Sequence, residues 1–219
     1  MRPRAPDAGE AIRRYRDHAA GYDASALRTL ALRYRAIGAL RLSPGDAVID
    51  VACGTGLSFP VIEAEIGPSG RLCGIEVSPD MAALAHRRVD RAGWANVTLV
   101  VDRVEAAALP AASFDAALFN FTHDVLQSAA AIERVLAALK PGARVALAGS
   151  KLFPWWAAPL NAWVRWNNAA YMTTFAGLGA PWRLIAPQLE DFRWAPALFG
   201  AAYVGSGRYR RAAGTGPTA

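Results

Sequence analysis

Val48-Ile49-Asp50-Val51-Ala52-Cys53-Gly54-Thr55-Gly56 is the stretch that decides how this chain folds. Residues 48–51 form a short β-branched run interrupted only by Asp50, the pattern of a strand buried on both faces of a parallel sheet. The glycines that follow impose a tight turn and leave no side chain in the way of a ligand. Residues from Leu57 onward read as a helix, so a ligand would sit between the strand's carboxyl end and a helix N-terminus. The dinucleotide fingerprint G-x-G-x-x-G does not fit: counting from Gly54 gives Gly54, Gly56 and then Phe59 in place of the third glycine.

Outward from this stretch the chain alternates. Residues 71–77 predict a second strand ending at Glu76, and Ser78-Pro79-Asp80 opens a helix that Gly93 stops. Residues 97–101 predict a third strand ending at Asp102, followed by a short helical or irregular piece over 104–108. A fourth strand is expected over 114–120, a helix over 128–139 stopped by Lys140-Pro141-Gly142, and a fifth strand over 143–148. Such β-α alternation requires right-handed crossovers and hence a parallel sheet with helices on both faces. Before the sheet, helices are expected over 10–22 (Ile12, Tyr15, Ala19 and Tyr22 on one stripe) and 26–42. In the second of these, Leu27, Leu30, Tyr34 and Ile37 recur at helical spacing, and Arg28, Arg33 and Arg35 fall on the other face. Residues 1–9 read as a disordered lead. After the sheet, Trp-rich helices are expected over 155–190, then strand-like runs over 192–194 and 198–204, with no linker that would mark a second domain.

The quoted stretch resembles motif I of the class I S-adenosylmethionine (SAM) methyltransferases, usually V-L-D-x-G-C-G-T-G. Ala52 departs from the family's more common Gly. Residues 43–150 and, more loosely, 192–209 are similar to the ubiquinone/menaquinone-type, small-molecule branch. The resemblance implies a Rossmann-like, doubly wound, mostly parallel seven-stranded sheet in a single domain over 1–219. Residues 1–42 would be lid helices, 43–150 the SAM-binding core, 151–190 the substrate-recognition helices and 191–211 the terminal strands. It implies SAM as cofactor and S-adenosylhomocysteine as product. By the family's pattern, Asp50 organises the turn and the methionine amino group, and Ala52, Cys53, Gly54, Thr55 and Gly56 surround the amino-acid part of SAM. Glu76 accepts from the ribose hydroxyls, and G-I-E-V-S-P-D-M places Val77 and Met81 near the adenine. Asp102 accepts from the adenine amino group, with the Arg103 and Val104 backbone beside the base. Asn120 and Phe121 flank the reactive methyl, and Tyr15 and Tyr22 on the lid offer aromatic faces to a sulfonium cation.

Composition bounds the alternatives. An apolar fraction of 53% excludes a disordered chain. The start Met1-Arg2-Pro3-Arg4-Ala5-Pro6-Asp7 lacks the apolar core of a secretory leader, and the longest uncharged run, 166–182, is broken by Asn and Thr residues and does not read as a membrane span. Two cysteines, Cys53 and Cys73, have neither a disulfide nor a metal spacing, so no metal and a reduced, cytoplasmic setting are expected. The net charge of +6 comes almost wholly from scattered arginines, which read as compositional bias; an anionic substrate, a membrane surface or nucleic acid stays open.

Methyl transfer is an in-line displacement that needs a base only when the acceptor must lose a proton. His123 and Asp124, just past the fourth strand, are the candidates, against a purely structural place for His123 at a helix start. Asn120-Phe121-Thr122-His123 is not the N-P-P-Y/F of amide and nucleobase-amine methyltransferases, which argues against a specific nucleic-acid substrate. Six of the seven tryptophans lie between Trp155 and Trp194. Trp156, Leu160, Trp163 and Ala170 recur at helical spacing, either as a helix packed on the sheet or as an aromatic wall for a small lipophilic acceptor. Trp163, Trp166, Asn167 and Tyr171 are the candidate acceptor contacts. The other readings are aminopropyl transfer from decarboxylated SAM and a nucleic-acid or other binding protein on a methyltransferase-like fold. Oligomeric state is not legible.

Overall fold

A computed structural model describes residues 6–210; a few side chains of the first helix, those of Tyr15, His18 and Tyr22 among them, lie outside the described residues. Seven strands form one sheet: β1 (Ala47–Val51), β2 (Arg71–Glu76), β3 (Val97–Val101), β4 (Phe114–Asn120), β5 (Leu139–Ser150), β6 (Leu189–Ala197) and β7 (Ala202–Tyr209). Their order is β3-β2-β1-β4-β5-β7-β6. The first five pair in parallel, and β7 runs antiparallel between β5 and β6. The sequence runs outward from β1 in both directions, so the order reverses between β1 and β4, where a doubly wound sheet opens its ligand crevice.

The helices are α1 (Ala8–Ala26), α2 (Leu30–Leu40), α3 (Phe59–Ile66), α4 (Pro79–Ala92), the single turn α5 (His123–Leu126), α6 (Ala129–Ala138) and α7 (Ala158–Asn168). Alternate residues of β1 serve opposite cores: Ala47, Ile49 and Val51 pack with α5 and α6, while Val48 packs with α2 and α3. Burial on both faces explains the unbroken apolar strands. β3 is the outer strand on the β1–β2 side and is half-exposed. Gly74 in β2 is dictated by packing: a Cβ there would meet Phe59 Cζ at 2.8 Å, Leu99 Cδ2 at 2.7 Å and Cys53 Sγ at 2.9 Å. Caps set the helix starts, since Ser78 accepts from Met81 N and Ser128 from Ala131 N, and Gly93 closes α4 at φ 69°.

Several expectations need correction. α1 begins at Ala8, capped by Asp7, and runs through Gly21 to Ala26; only a 3-10 turn, Leu27–Thr29, separates it from α2. The buried stripe of α2 is Leu32, Arg33, Ala36, Ile37 and Leu40, while Leu27 and Tyr34 are exposed. α3 starts at Phe59 because residues 54–58 stay in the turn. β5 begins at Leu139, opposite Phe114, and Lys140-Pro141-Gly142-Ala143 bulges out before pairing resumes at Arg144. The Trp-rich region holds one α-helix, α7, and then mostly turns. That helix does not pack on the sheet: of its residues only Val164 is buried.

Candidate active site

The glycine turn leaves β1 with Ala52, Gly54 and Gly56 at φ 51°, 61° and 75°, the left-handed region that favours glycine. Cys53 N–H donates to Ile75 O at 2.9 Å and Gly56 N–H to Cys53 O at 3.1 Å, which fixes the turn against β2. Glu76 completes it. One carboxylate oxygen accepts from Gly54 N at 2.9 Å and the other from Ser78 N at 2.8 Å, so a single buried side chain joins the turn to the start of α4. Burial raises its pKa against the pull of those N–H donors.

Asp50 lies behind the turn, 1% exposed. Burial pushes its pKa up to about 7, opposed by the Arg33 guanidinium and a bond with Ser58 and reinforced by the Glu76 charge. Arg33, carried by α2, reaches the same place; its guanidinium stands 4.9 Å from the centroid of the Phe121 ring. Phe121 has φ 59°, a conformation rare for an aromatic residue and characteristic of strained functional turns. The Cys53 thiol is held well above its ordinary pKa by burial, so it is no ready nucleophile.

The end of β4 supplies the opposite wall. His123 Nε2 lies 2.9 Å from Ala176 O, and a carbonyl only accepts, so Nε2 carries the hydrogen and Nδ1 the lone pair. Burial lowers the His123 pKa despite the neighbouring Asp124 carboxylate, which keeps the ring neutral at pH 7. One Asp124 oxygen accepts from Thr173 N at 2.9 Å and Thr173 Oγ1 at 2.6 Å, and Thr173 Oγ1 accepts from Asp7 N at 3.1 Å. The N-terminus of α1 is thereby tied to the β4 edge through residue 173. Farther along α1, Asp23 bonds both Thr55 Oγ1 and Arg88, at 2.7 Å to the latter.

These elements enclose a cavity of about 520 Å³, within the range of small-molecule sites. It brings together most of the predicted residues. Ala52, Gly54, Glu76, Val77, Met81, Arg103 and Val104 line one end, Asn120, Phe121, His123 and Asp124 the middle, and Trp163, Asn167 and Tyr171 the far side. Asp50, Cys53, Thr55 and Gly56 do not line it and support the turn from behind. Asp102 is exposed, accepts from Arg103 N at 2.7 Å and stays off the wall. Trp166 is 77% exposed and points away. The side chains of Tyr15 and Tyr22 lie outside the described residues. Tyr171 donates to Ser25 Oγ at 3.2 Å, so acceptor side and α1 touch.

Arg33 is not among the residues the sequence pattern marks, since its charge puts it on the outer face of α2. Its spacing, three residues after Leu30 and four before Ile37, was the available signal, overridden there by its charge. Nor does the pattern mark Asp7, Ser25, Thr29 and Leu198, which line the cavity.

Among the described residues, six buried side-chain atoms have no hydrogen-bond partner, and five gather at these strand ends: Asp50 Oδ2, Asn120 Oδ1, Thr122 Oγ1, His123 Nδ1 and Asp124 Oδ1. Asn120 Oδ1 and His123 Nδ1 only accept, the Asp50 and Asp124 oxygens accept when ionised, and the hydroxyl can accept. A buried acceptor without a donor costs roughly 1–3 kcal/mol. Such a group is therefore matched to a ligand that brings cationic or N–H character.

The fold and the crevice at its switch point define a Rossmann-like methyltransferase architecture. Residues 48–142 match the family model described as a methyltransferase domain. Over 141 residues the chain is 30% identical to demethylmenaquinone methyltransferase of Symbiobacterium thermophilum, covering 62% of this chain and 52% of that protein. It is 33% identical over 104 residues to aklanonic acid methyltransferase DauC of Streptomyces sp. (strain C5), covering 47% of each. The chain thus spans about half the length of these curated relatives. The solved structure of geranyl diphosphate C-methyltransferase from Streptomyces coelicolor A3(2), in complex with Mg2+, geranyl diphosphate and S-adenosyl-L-homocysteine, shares the fold. Its TM-score is 0.68 at 18% identity, over 83% of this chain and 79% of that one. Residues 48–142 thus match a methyltransferase domain, and they sit in a sheet whose strand order is that of the class I methyltransferase fold.

Proposed function

We propose that this chain transfers a methyl group from SAM to an O, N or C atom of a small lipophilic or aromatic acceptor. The observation that carries the reading is the group of partnerless acceptors at the ends of β1 and β4, beside a turn pinned by Glu76. When bound, SAM supplies a methyl group already activated on a cationic sulfonium. The ammonium of its amino-acid part matches Asn120, with the buried Asp50 carboxyl behind the turn as a charge rather than a contact, and Arg33 opposes its carboxylate. An aminopropyl donor, lacking that carboxylate, would leave Arg33 without this role. Glu76 keeps acceptor capacity beyond its two backbone bonds and takes the ribose hydroxyls. Val77, Met81 and Val104 give the adenine an apolar slot, with the Arg103 backbone at its edge.

On the acceptor side, Trp163 and Tyr171 form walls and Asn167 orients a polar group. His123 Nδ1 takes the acceptor's proton where one must leave, and Asp124 holds the loop around residue 173 in place. Alignment of acceptor and methyl group within such a site can supply about 7–11 kcal/mol of the barrier. The described residues work as one domain, with those before 43 covering the cofactor, 43–150 binding it, 151–190 facing the acceptor and β6 and β7 closing the sheet. Both cysteines are buried and free, in keeping with a cytoplasmic setting.

Titration calorimetry with S-adenosylhomocysteine tests the reading: one site per chain, lost in Gly54→Val and Asp50→Ala. Binding of NADH in its place would overturn it. A screen of quinones, phenols, amines and phosphatidylethanolamine for S-adenosylhomocysteine release then identifies the acceptor class. Truncating Trp163 or Tyr171 should raise the acceptor KM and leave cofactor affinity unchanged.

A further inference from the structure

No helix among the described residues is long and apolar enough to cross a membrane. One face nevertheless exposes an unusual amount of aromatic surface. Trp155, Trp156 and Trp166 are 88%, 70% and 77% exposed, and Leu160 and Trp163 join them along α7. Leu198 is exposed too, and Phe199 stands fully in solvent at 103%. Trp163 and Leu198 also line the cavity, so this surface is continuous with its mouth. The turn at 198–200 lies against Phe153, whose N–H donates to Asn161 of α7 at 2.8 Å, so both parts belong to one patch.

Isolated exposed apolar side chains need no explanation, but a contiguous patch of this kind marks an interaction site. Its chemistry narrows the occupant. Tryptophan prefers the boundary between headgroups and acyl chains, where its ring is buried and its N–H stays wet. The segment 151–189 that builds the patch contains Lys151, Arg165 and Arg183 and not one Asp or Glu. A Trp-rich apolar patch built by a segment whose only charges are cationic suits a lipid surface with anionic headgroups. A protein surface offers mixed charge and would be met by mixed charge.

We propose that this face docks on a bilayer containing anionic lipid, with Trp155, Trp156, Trp166 and Phe199 at the headgroup–acyl boundary. A lipophilic acceptor then enters the cavity between Trp163 and Leu198 without crossing water. The docking itself does not depend on the methyl-transfer reading.

The full chain is sedimented with vesicles of phosphatidylcholine alone and of phosphatidylcholine with phosphatidylglycerol, and tryptophan quenching by brominated lipid is followed. Partition into the anionic vesicles should exceed that into neutral ones by on the order of tenfold and weaken with salt. The triple variant W155S/W156S/W166S should lose most of it while keeping its melting temperature and its S-adenosylhomocysteine affinity, since none of the three lines the cavity. R165Q/R183Q should remove the salt-dependent part. No partition of the wild type, equal partition into both vesicles, or an unaffected triple variant would each overturn the proposal. So would a concentration-dependent dimer that the triple variant abolishes in the absence of vesicle binding, which would assign the face to a second copy of the chain. Cofactor affinity measured on the same samples keeps this outcome separate from that of the methyltransferase reading.

Discussion

The strand-end edge around Gly54 and the Trp-rich segment after β5 face one cavity and are held by different means. At the strand ends, backbone groups are fixed by a few buried polar side chains: Glu76 takes two N–H groups, and the glycines occupy left-handed conformations. In the segment, α7 buries one residue, and the turns after it meet the first helix through bonds such as Tyr171 to Ser25 and Asp7 N to the Thr173 hydroxyl. The first region is specified locally and rigidly. The second is assembled from distant parts and leaves most of its apolar surface uncovered.

Equivalent insults should therefore differ sharply between the two. Glu76→Ala strands two buried backbone donors, at about 1–3 kcal/mol each. Urea unfolding should show a loss of roughly 2–5 kcal/mol together with loss of S-adenosylhomocysteine binding. Trp166→Ala, on an exposed face, should stay within about 0.5 kcal/mol of wild type. A large loss at Trp166 would mean that α7 is packed against something in solution, and the contrast would fail.

His123 joins the regions, since its Nε2–H is held by Ala176 O while its ring lines the β4 side of the cavity. For an acceptor that must lose a proton, His123→Ala should lower kcat on the order of a hundredfold, with recovery at high pH. An unchanged kcat would assign the reaction to positioning alone and leave His123 a structural link. The glycines give a third comparison. Gly74→Ala forces a Cβ into Phe59, Leu99 and Cys53 and should cost about 1–3 kcal/mol. Gly179, in the second region, has nothing within 4 Å of the added carbon, and Gly179→Ala should be neutral.

The same division explains what the sequence could disclose. Strand ends, caps and the glycine turn are encoded within a few residues, so β1 to β4, the start of α4 and the placement of Glu76 could be read directly. The helical stripe of α2 was misread because charge was taken as exposure, although Arg33 is buried beside Asp50 and Phe121. The fate of residues 155–190 was opaque for another reason. Trp156, Leu160 and Trp163 have the spacing of a packed helix, and nothing local says whether a sheet, a cavity or a lipid surface receives them. Asp102 had the right place at a strand end, but β3 is the outer strand, and there a carboxylate can simply face water.

Asp50 offers a test by pH. Its folded pKa, about 7, lies above the ordinary 3.8, so the native state binds this proton more tightly than the unfolded state does. The contribution is stabilising while Asp50 is protonated and is lost as pH rises between about 4 and 7. Asp50→Asn should remove that part of the pH dependence, seen as a flatter difference curve against wild type. The cationic cofactor should draw the pKa down and release a proton on binding near pH 6.5, measurable by calorimetry in buffers of different ionisation enthalpy. Binding without proton release would separate Asp50 from the amino-acid part of SAM.

The smallest effects sharpen the comparison further, because the glycine turn and the 198–200 turn beside the Trp-rich segment each hold a non-glycine residue in the left-handed conformation, Ala52 at φ 51° and Phe199 at φ 55°. That conformation costs an L-residue roughly 1–2 kcal/mol. Glycine would relieve the strain but give back about 0.5–1 kcal/mol through the greater freedom of the unfolded chain. Ala52→Gly and Phe199→Gly should therefore each be neutral to stabilising by up to about 1 kcal/mol in urea unfolding. For Ala52 the change restores the residue more usual in this motif, and cofactor affinity should hold or improve. A loss of stability there would show that the Ala52 methyl packs in a way that offsets its strain. Phe199 buries no side-chain surface within the chain, so nothing in the folded state repays its backbone cost. A fully exposed aromatic ring kept at such a cost is expected where a partner receives it. Phe199→Gly should then gain stability in solution and lose affinity for anionic vesicles, and a variant that gained the first without losing the second would remove Phe199 from the docking face.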